Sequence, residues 1–216
     1  MNKHINLALV GASGVVGGKI LKLLERKNIF LSNFYPLGFS SVGNEIKLKN
    51  SIYKITDIKS FDPSQINIAI FCAGSAVAKR YAKSFVNKGI YVIDLSSEYR
   101  YDDDVPLVIP EINGYEIKKL KKPTLIANPN CSVSQLLLAI QPIHEELSVN
   151  FINIATYQAV SGTGKEAINE FENQLAGKED IKIYPKRIAG NVIPQCDVFL
   201  ENDFTKEEMK LSLIHI

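Results

Sequence analysis

The chain reads as an α/β protein, a Rossmann-like doubly wound parallel sheet followed by an incomplete α+β domain, and three observations predict this. An apolar run, Ile5-Asn6-Leu7-Ala8-Leu9-Val10, is followed at once by Gly11-Ala12-Ser13-Gly14-Val15-Val16-Gly17-Gly18 and then by an amphipathic stretch through Glu25. Apolar runs recur at 34–39, 52–55, 66–72, 90–95 and 125–127, with helical stretches around 16–27, 75–88 and 132–146. That alternation belongs to βαβ units and a mostly parallel sheet. At 216 residues the chain also exceeds the usual size of one domain, so a nucleotide-binding domain over 1–130 and a second domain over 131–210 are expected.

The first element is strand, glycine turn, helix. Glycines at 11, 14 and 17 permit a tight turn, a close approach of backbone to a pyrophosphate, and close packing of helix on strand, with phosphate at the helix N-terminus. The spacing is G-x-x-G-x-x-G, a variant of the dinucleotide-binding turn, and glycine turns also join strands to helices without any ligand.

Further along, Ile68-Ala69-Ile70-Phe71-Cys72 is apolar throughout, as a central parallel strand should be, which makes Cys72 a core residue. It runs into a second glycine turn, Ala73-Gly74-Ser75. The next strand, Tyr91 to Leu95, delivers Ser96-Ser97-Glu98-Tyr99-Arg100 to the same edge of the sheet. Arg100 is a candidate anion ligand, because a guanidinium presents a fixed fork of donors to phosphate or carboxylate. A surface arginine paired with Asp102 to Asp104 is the alternative.

Cys131 sits in Asn128-Pro129-Asn130-Cys131-Ser132, where a loop gives way to a helix. A thiol in the first turn of a helix faces unpaired N–H groups and the positive end of the macrodipole, which favour the nucleophilic thiolate. Beyond it, Phe151 to Gln158 is expected as a strand, Ala159 to Lys165 as a glycine-bearing turn that approaches a ligand, and a helix as running to about Ala176.

Composition excludes several classes. With 46% hydrophobic and 22% charged residues and a net charge of +2, the chain is neither disordered nor a strongly basic nucleic-acid binder. Small molecules are the expected partners, with no nucleic acid and no membrane. Cysteines 72, 131 and 196 form no C-x-x-C pair and no cluster with the three histidines, so no metal site and no disulfide framework are expected, and a reducing cytoplasm is the expected setting. The N-terminal apolar run is too short for a signal peptide or a membrane span.

Taken in order, six motifs resemble those of the aspartate-semialdehyde dehydrogenases. They are Gly11 to Gly17, Ser96 to Arg100, Val105 to Gly114, Asn128 to Ser132, Thr156-Tyr157-Gln158-Ala159-Val160-Ser161-Gly162-Thr163-Gly164-Lys165, and Gly190 to Gln195. The resemblance implies an NADP-dependent, reversible conversion of 4-phospho-L-aspartate to L-aspartate 4-semialdehyde and phosphate, in lysine, methionine and threonine biosynthesis. In the oxidative direction the Cys131 thiolate would attack the aldehyde, the hemithioacetal would give hydride to nicotinamide, and phosphate would cleave the thioester. By the same resemblance Gln158 holds the substrate carbonyl region, and Arg100 with Asn130 holds phosphate. Gly11, Ser13, Gly14, Val15 and Val16 form the pyrophosphate turn, Ser161 and Gly162 make later cofactor contacts, and the full-length protein is a homodimer or homotetramer.

Two departures stand out. Family members bind the adenosine 2′-phosphate at the segment Phe39 to Asn44, many with arginine and lysine near the positions of Ser40 and Asn44. Here Ser40 and Ser41 supply hydroxyls without charge, so the segment offers a 2′-phosphate donors but no cation. The family's base histidine lies well downstream of Gln195 and is not matched by His4, His144 or His215. The chain is therefore expected to be a C-terminally truncated, inactive fragment, with Leu211 to Ile216 a non-native tail of the kind a sequencing adapter encodes. N-acetyl-γ-glutamyl-phosphate reductase, whose cysteine motif carries glycine at the position of Asn130, and a non-catalytic nucleotide-binding protein are the alternatives.

Overall fold

A strand whose positions past the first are all apolar needs cover on both faces, because successive side chains point to opposite sides of the sheet. In the computed structural model, which describes residues 4–212, strand β1 (Asn6–Val10) has that cover. Leu7 and Leu9 enter one apolar cluster, Ala8 and Val10 another, and all four are buried.

The other strands follow as β2 (Asn33–Gly38), β3 (Glu45–Leu48), β4 (Ser51–Lys54), β5 (Thr56–Asp57), β6 (Ile68–Phe71), β7 (Tyr91–Asp94) and β8 (Leu125–Ala127). Six of them form one sheet in the order β5-β2-β1-β6-β7-β8, with every pairing parallel. The chain leaves β1 toward β2 on one side and later returns to β6 on the other. That reversal opens a crevice beyond the carboxyl ends of β1 and β6, where ligands of such sheets bind.

Helices cover both faces, as the doubly wound expectation requires. Leu21 and Leu24 of α1 (Val15–Arg26) join the cluster of Leu7 and Leu9. Ala78, Ala82 and Phe85 of α2 (Ser75–Asn87) join Ala8, Val10, Leu37 and Phe71 on the opposite face. Phe85 meets Phe71 edge-on, with ring centroids 5.4 Å apart and planes at 83°, a favoured aromatic geometry. Two short helices, α3 (Pro110–Asn113) and α4 (Tyr115–Lys119), lie between β7 and β8.

The run at 52–55 departs from the parallel pattern. It forms β4, which pairs antiparallel with β3 in a separate two-stranded sheet. Its turn at Lys49-Asn50 lacks the usual glycine; Lys49 takes φ 54°, and the Glu25 carboxylate holds it by accepting from the Lys49 N–H at 2.6 Å. Tyr53 meets Phe34 edge-on at 5.1 Å, which ties the hairpin to the α1 side of the sheet.

The chain divides into two compact units, one ending at Leu138 and the other beginning at Ala139. The division falls within α5 (Cys131–Leu147), eight residues beyond the expected boundary. The second unit contains α6 (Lys165–Leu175) and α7 (Lys206–Lys210). On α6, Glu170 and Gln174 are spaced one turn apart and both are buried. The Glu170 carboxylate accepts from the N–H groups of Lys182, Ile183 and Tyr184. The Gln174 Oε1 accepts from Ile188 and Ala189 at 2.9 Å each. Two side chains thereby hold the irregular segment after the helix. Burial alone would raise the Glu170 pKa, but the three amide donors outweigh it and hold the carboxyl below its ordinary value.

The expected strand over Phe151 to Gln158 is absent: these residues join no ladder among the described residues. A strand needs a neighbour's backbone groups, and the alternation of apolar residues reports only which side chains share a face. Phe151 and Tyr157 are 83% and 91% exposed. Of the expected non-native tail, Leu211 and Ser212 extend α7 as a tighter turn, and 213–216 lie outside the described residues.

The packing of α1 on its own turn yields a test. A Cβ on Gly17 would stand 2.4 Å from the Gly11 carbonyl oxygen and 2.8 Å from that of Ala12, whereas one on Gly18 would meet nothing within 4 Å. Gly17→Ala should therefore cost about 1–3 kcal/mol through overpacking, and Gly18→Ala should gain about 0.5–1 kcal/mol from helix propensity. Urea denaturation of both variants decides the matter, and coincident midpoints would contradict the packing described.

Candidate functional site

The site is built where the strands end. Gly11, directly after β1, takes φ +90°, and a Cβ there would lie 2.9 Å from the backbone of Cys72 and Ala73. The turns after β1 and β6 thus touch through main chain, and only glycine allows it. The Gly14 N–H donates to the Gly11 carbonyl at 3.0 Å, and Gly14 begins α1 with no side-chain cap and no acidic residue in the first turn. The amides of Val15 and Val16 head the helix in the arrangement that favours an anion. A dinucleotide fits this turn: its glycines bring the backbone close, and its uncapped helix start matches a pyrophosphate.

The serines of the turns pair with each other. The Ser13 hydroxyl donates to Ser41 Oγ at 2.8 Å, which brings the segment after β2 against the glycine turn. Ser40 is the exposed neighbour. Across the crevice Ser75 Oγ and Ser97 Oγ lie 3.0 Å apart, linking the turns after β6 and β7.

Cys131 is the first residue of α5 and is exposed. Buried Asn130 caps this helix, its Oδ1 accepting from the Val133 N–H at 2.9 Å. Half-buried Arg100 donates from Nε to the Asn128 carbonyl at 2.9 Å and from Nη2 to the Leu95 carbonyl at 3.1 Å. The guanidinium therefore joins the turn after β7 to the turn that presents the cysteine. Arg100, Asn130 and Cys131 come together in one unit, and two donors of Arg100 serve main-chain carbonyls.

Asp94 is a site residue that the motifs did not single out. It ends β7 fully buried and accepts from the Ser96 N–H at 3.0 Å and the Ser96 hydroxyl at 2.8 Å. Its carbonyl takes the Asn128 N–H at 2.9 Å. Burial raises the Asp94 pKa above its ordinary value, although the Ser96 donors and the Arg100 charge oppose the shift. The signal was in the sequence, as a carboxylate closing an otherwise apolar strand. Cys72, expected in the core, is partly buried and packs against the cluster of Leu7 and Leu9; burial pushes its thiol up to about 12, and its Sγ lies 3.1 Å from the Val10 carbonyl oxygen.

Gln158, Ser161 and Gly162 belong to the second unit. The Gln158 amide donates to Glu207 Oε1 at 3.3 Å and accepts from Thr156 Oγ1 at 3.1 Å. Ser161 and Gly162 occupy a short 3₁₀ turn, Val160–Gly162, and Gly164, at φ +113°, begins α6. His4 and His144 are exposed, and His215 lies outside the described residues. Among the described residues no group of His, Cys, Asp and Glu could hold a metal ion, and no helix is long and apolar enough to cross a membrane.

Residues 6–120 match the model of the semialdehyde dehydrogenase NAD-binding domain, and residues 140–213 that of the semialdehyde dehydrogenase dimerisation domain. Aspartate-semialdehyde dehydrogenase of Shewanella violacea is 44% identical over 98% of the chain. The chain belongs to the aspartate-semialdehyde dehydrogenase family. It spans about 64% of the length of that relative. The Legionella pneumophila enzyme is 42% identical over 98% of the chain and 62% of its own length. The crystal structure of aspartate semialdehyde dehydrogenase II from Vibrio cholerae, complexed with ASA, superposes with a TM-score of 0.92 at 36% identity, covering 97% of this chain and 64% of that one.

The two thiols of this unit should separate under alkylation. With iodoacetamide near neutral pH, exposed Cys131 should be modified well before partly buried Cys72 in the folded chain, and denaturation should remove the difference; peptide mapping reads this directly. Equal labelling of both would contradict the burial of Cys72.

Asp94 carries a pH signature of definite sign. A carboxyl whose folded pKa is raised erodes stability as pH rises from the unfolded aspartate value, about 3.9, through the folded one, then levels off. Asp94→Asn removes that titration, so the wild-type urea midpoint should fall relative to the variant as pH rises above about 4. Parallel curves would show that Asp94 does not titrate as described.

Proposed function

We propose that this chain carries the nucleotide-binding and nucleophile-bearing part of an NADP-dependent enzyme that reduces 4-phospho-L-aspartate to L-aspartate 4-semialdehyde, reversibly, through an acyl-thioester on Cys131. The observation that carries the reading is Cys131 itself: an exposed thiol opening a helix whose cap, Asn130, is buried, beside a half-buried arginine. Bound nicotinamide supplies the hydride acceptor or donor. Ser13, Gly14, Val15 and Val16 would hold the pyrophosphate, with Gly11 setting the turn, Ser40 and Ser41 facing the adenosine ribose, and Ser161 and Gly162 as later contacts.

In the oxidative direction the Cys131 sulfur forms a bond to the aldehyde carbon and the carbonyl oxygen takes a proton. Loss of hydride from that carbon, together with loss of the hydroxyl proton to a base, leaves the thioester. Phosphate then adds, the carbon–sulfur bond breaks, and the thiolate leaves. Arg100 and Asn130 would bind phosphate and Gln158 would orient the carbonyl region. A base must accept the cysteine proton; His4 and His144 are exposed, and neither sits in the motif where the resemblance places the base histidine. We accordingly propose that the 216 residues alone bind cofactor without sustained turnover, and that the active form is a cytoplasmic homodimer or homotetramer.

Phosphate-dependent reduction of NADP by L-aspartate 4-semialdehyde tests this, using the 216-residue chain, a version extended to the length of its relatives, and Cys131→Ala in each. Activity of the extended protein should fall by at least about 10³-fold in Cys131→Ala, as expected when a nucleophile is removed. Activity that survives the substitution would remove Cys131 from the mechanism. Turnover of N-acetyl-glutamate semialdehyde in its place would assign the chain to the related reductase.

A further inference from the structure

The segment after β2 has a hydroxyl pair and no cation: residues 39–44 contain no lysine, arginine or histidine. A phosphate on the adenosine ribose would thus find donors at Ser40 and Ser41 without compensating charge. The structure places a cation nearby from another element. Helix α2 carries Lys79, Arg80 and Lys83 in its middle turns. Lys79 lies 3.8 Å from Glu98 and Lys83 lies 3.4 Å from Asp102, both facing carboxylates of the loop after β7. Arg80 makes no ion pair among the described residues. Its guanidinium lies over the Tyr81 ring, 5.4 Å from the centroid. The Tyr81 ring packs in turn against Phe39 at 5.8 Å, tilted by 51°, and Phe39 immediately precedes Ser40.

We propose that Arg80, seated on the Tyr81–Phe39 ring pair, is the cation that reads the 2′-phosphate of the dinucleotide, supplying from α2 the charge that the 39–44 segment lacks. The proposal rests on the dinucleotide reading of the glycine turn. A guanidinium resting on an aromatic ring engages it through its flat face and keeps the N–H donors of its edge for an anion. Phe39 and Tyr81 both pack against the core cluster, and through this ring pair the Arg80 guanidinium stands two contacts from the turn that carries Ser40 and Ser41. Lysine would not substitute fully, because it offers a point charge in place of a fork.

Calorimetric titration of the 216-residue chain with 2′,5′-ADP and with 5′-AMP tests the assignment without any need for turnover. The wild-type chain should prefer 2′,5′-ADP by about 10-fold or more, the range of a charge-assisted hydrogen bond. Arg80→Ala should abolish that preference while the affinity for 5′-AMP stays within about twofold, well below the effect of losing one such bond. Arg80→Lys should retain part of it, and Lys79→Ala, which removes the same charge one residue away, should retain all of it. A wild-type chain that binds both nucleotides equally, or an Arg80→Ala chain that keeps the preference, overturns the role of Arg80 and leaves the glycine-turn reading standing. Loss of preference in Lys79→Ala as well would show a diffuse field instead of a specific cation, and overturns the proposal. Failure of the wild-type chain to bind either nucleotide overturns the dinucleotide reading itself, and the role of Arg80 with it.

Discussion

The backbone contact between the turn after β1 and the turn after β6 is the constraint on which the nucleotide half of the molecule depends. At Gly11 no side chain fits, because Cys72 and Ala73 stand where a Cβ would be. That contact fixes where α1 begins, and hence where its uncapped amides point. It also sets the line along which the other strand ends are arrayed. Ser13 meets Ser41 on one side of it, and Ser75 meets Ser97 on the other. A sheet whose strands stop in register brings chemistry from distant parts of the sequence to one edge.

The same edge holds Cys131 by a second set of ties. Arg100 spans the carbonyls of Leu95 and Asn128, and Asp94 receives Asn128 and Ser96. A charged group on the main chain of two adjacent turns is stiffer than either turn alone. Asp94 costs stability through its burial, and what it gives in exchange is order in the loop that carries Arg100. Buried polar groups retained for position in this way are high-stakes when a partner is lost.

The nucleotide half was largely legible in the sequence because local and long-range signals agreed there. The apolar run of β1, the glycines after it and the amphipathic helix each predicted the same element. The place of Cys131 at the start of a helix was legible because its neighbours Asn128, Pro129 and Asn130 are turn and cap formers. The hairpin of β3 and β4 was not, since its turn rests on Lys49 at positive φ held by Glu25, a contact 24 residues apart that no local pattern announces. Phe151 to Gln158 misled for the opposite reason: its alternation was real, but pairing depends on a neighbour that the run itself does not encode. Asp94 and the Glu170–Gln174 pair were visible as polar residues in apolar company, yet their partners come from segments that only the folded chain brings near.

The Ser13–Ser41 hydroxyl bond has a thermodynamic consequence for whatever binds there. The Ser13 hydroxyl gives its proton to Ser41 Oγ, so a ligand that accepts from both hydroxyls must first displace that bond. A neutral acceptor gains little from that exchange, since one hydroxyl–hydroxyl bond is lost for two of similar strength and the ligand is immobilised besides. An anionic oxygen gains more, because hydrogen bonds to a charge are about twice as strong as neutral ones. The pair therefore yields more readily to an anionic acceptor than to a neutral one, by about the difference between a charge-assisted and a neutral hydrogen bond.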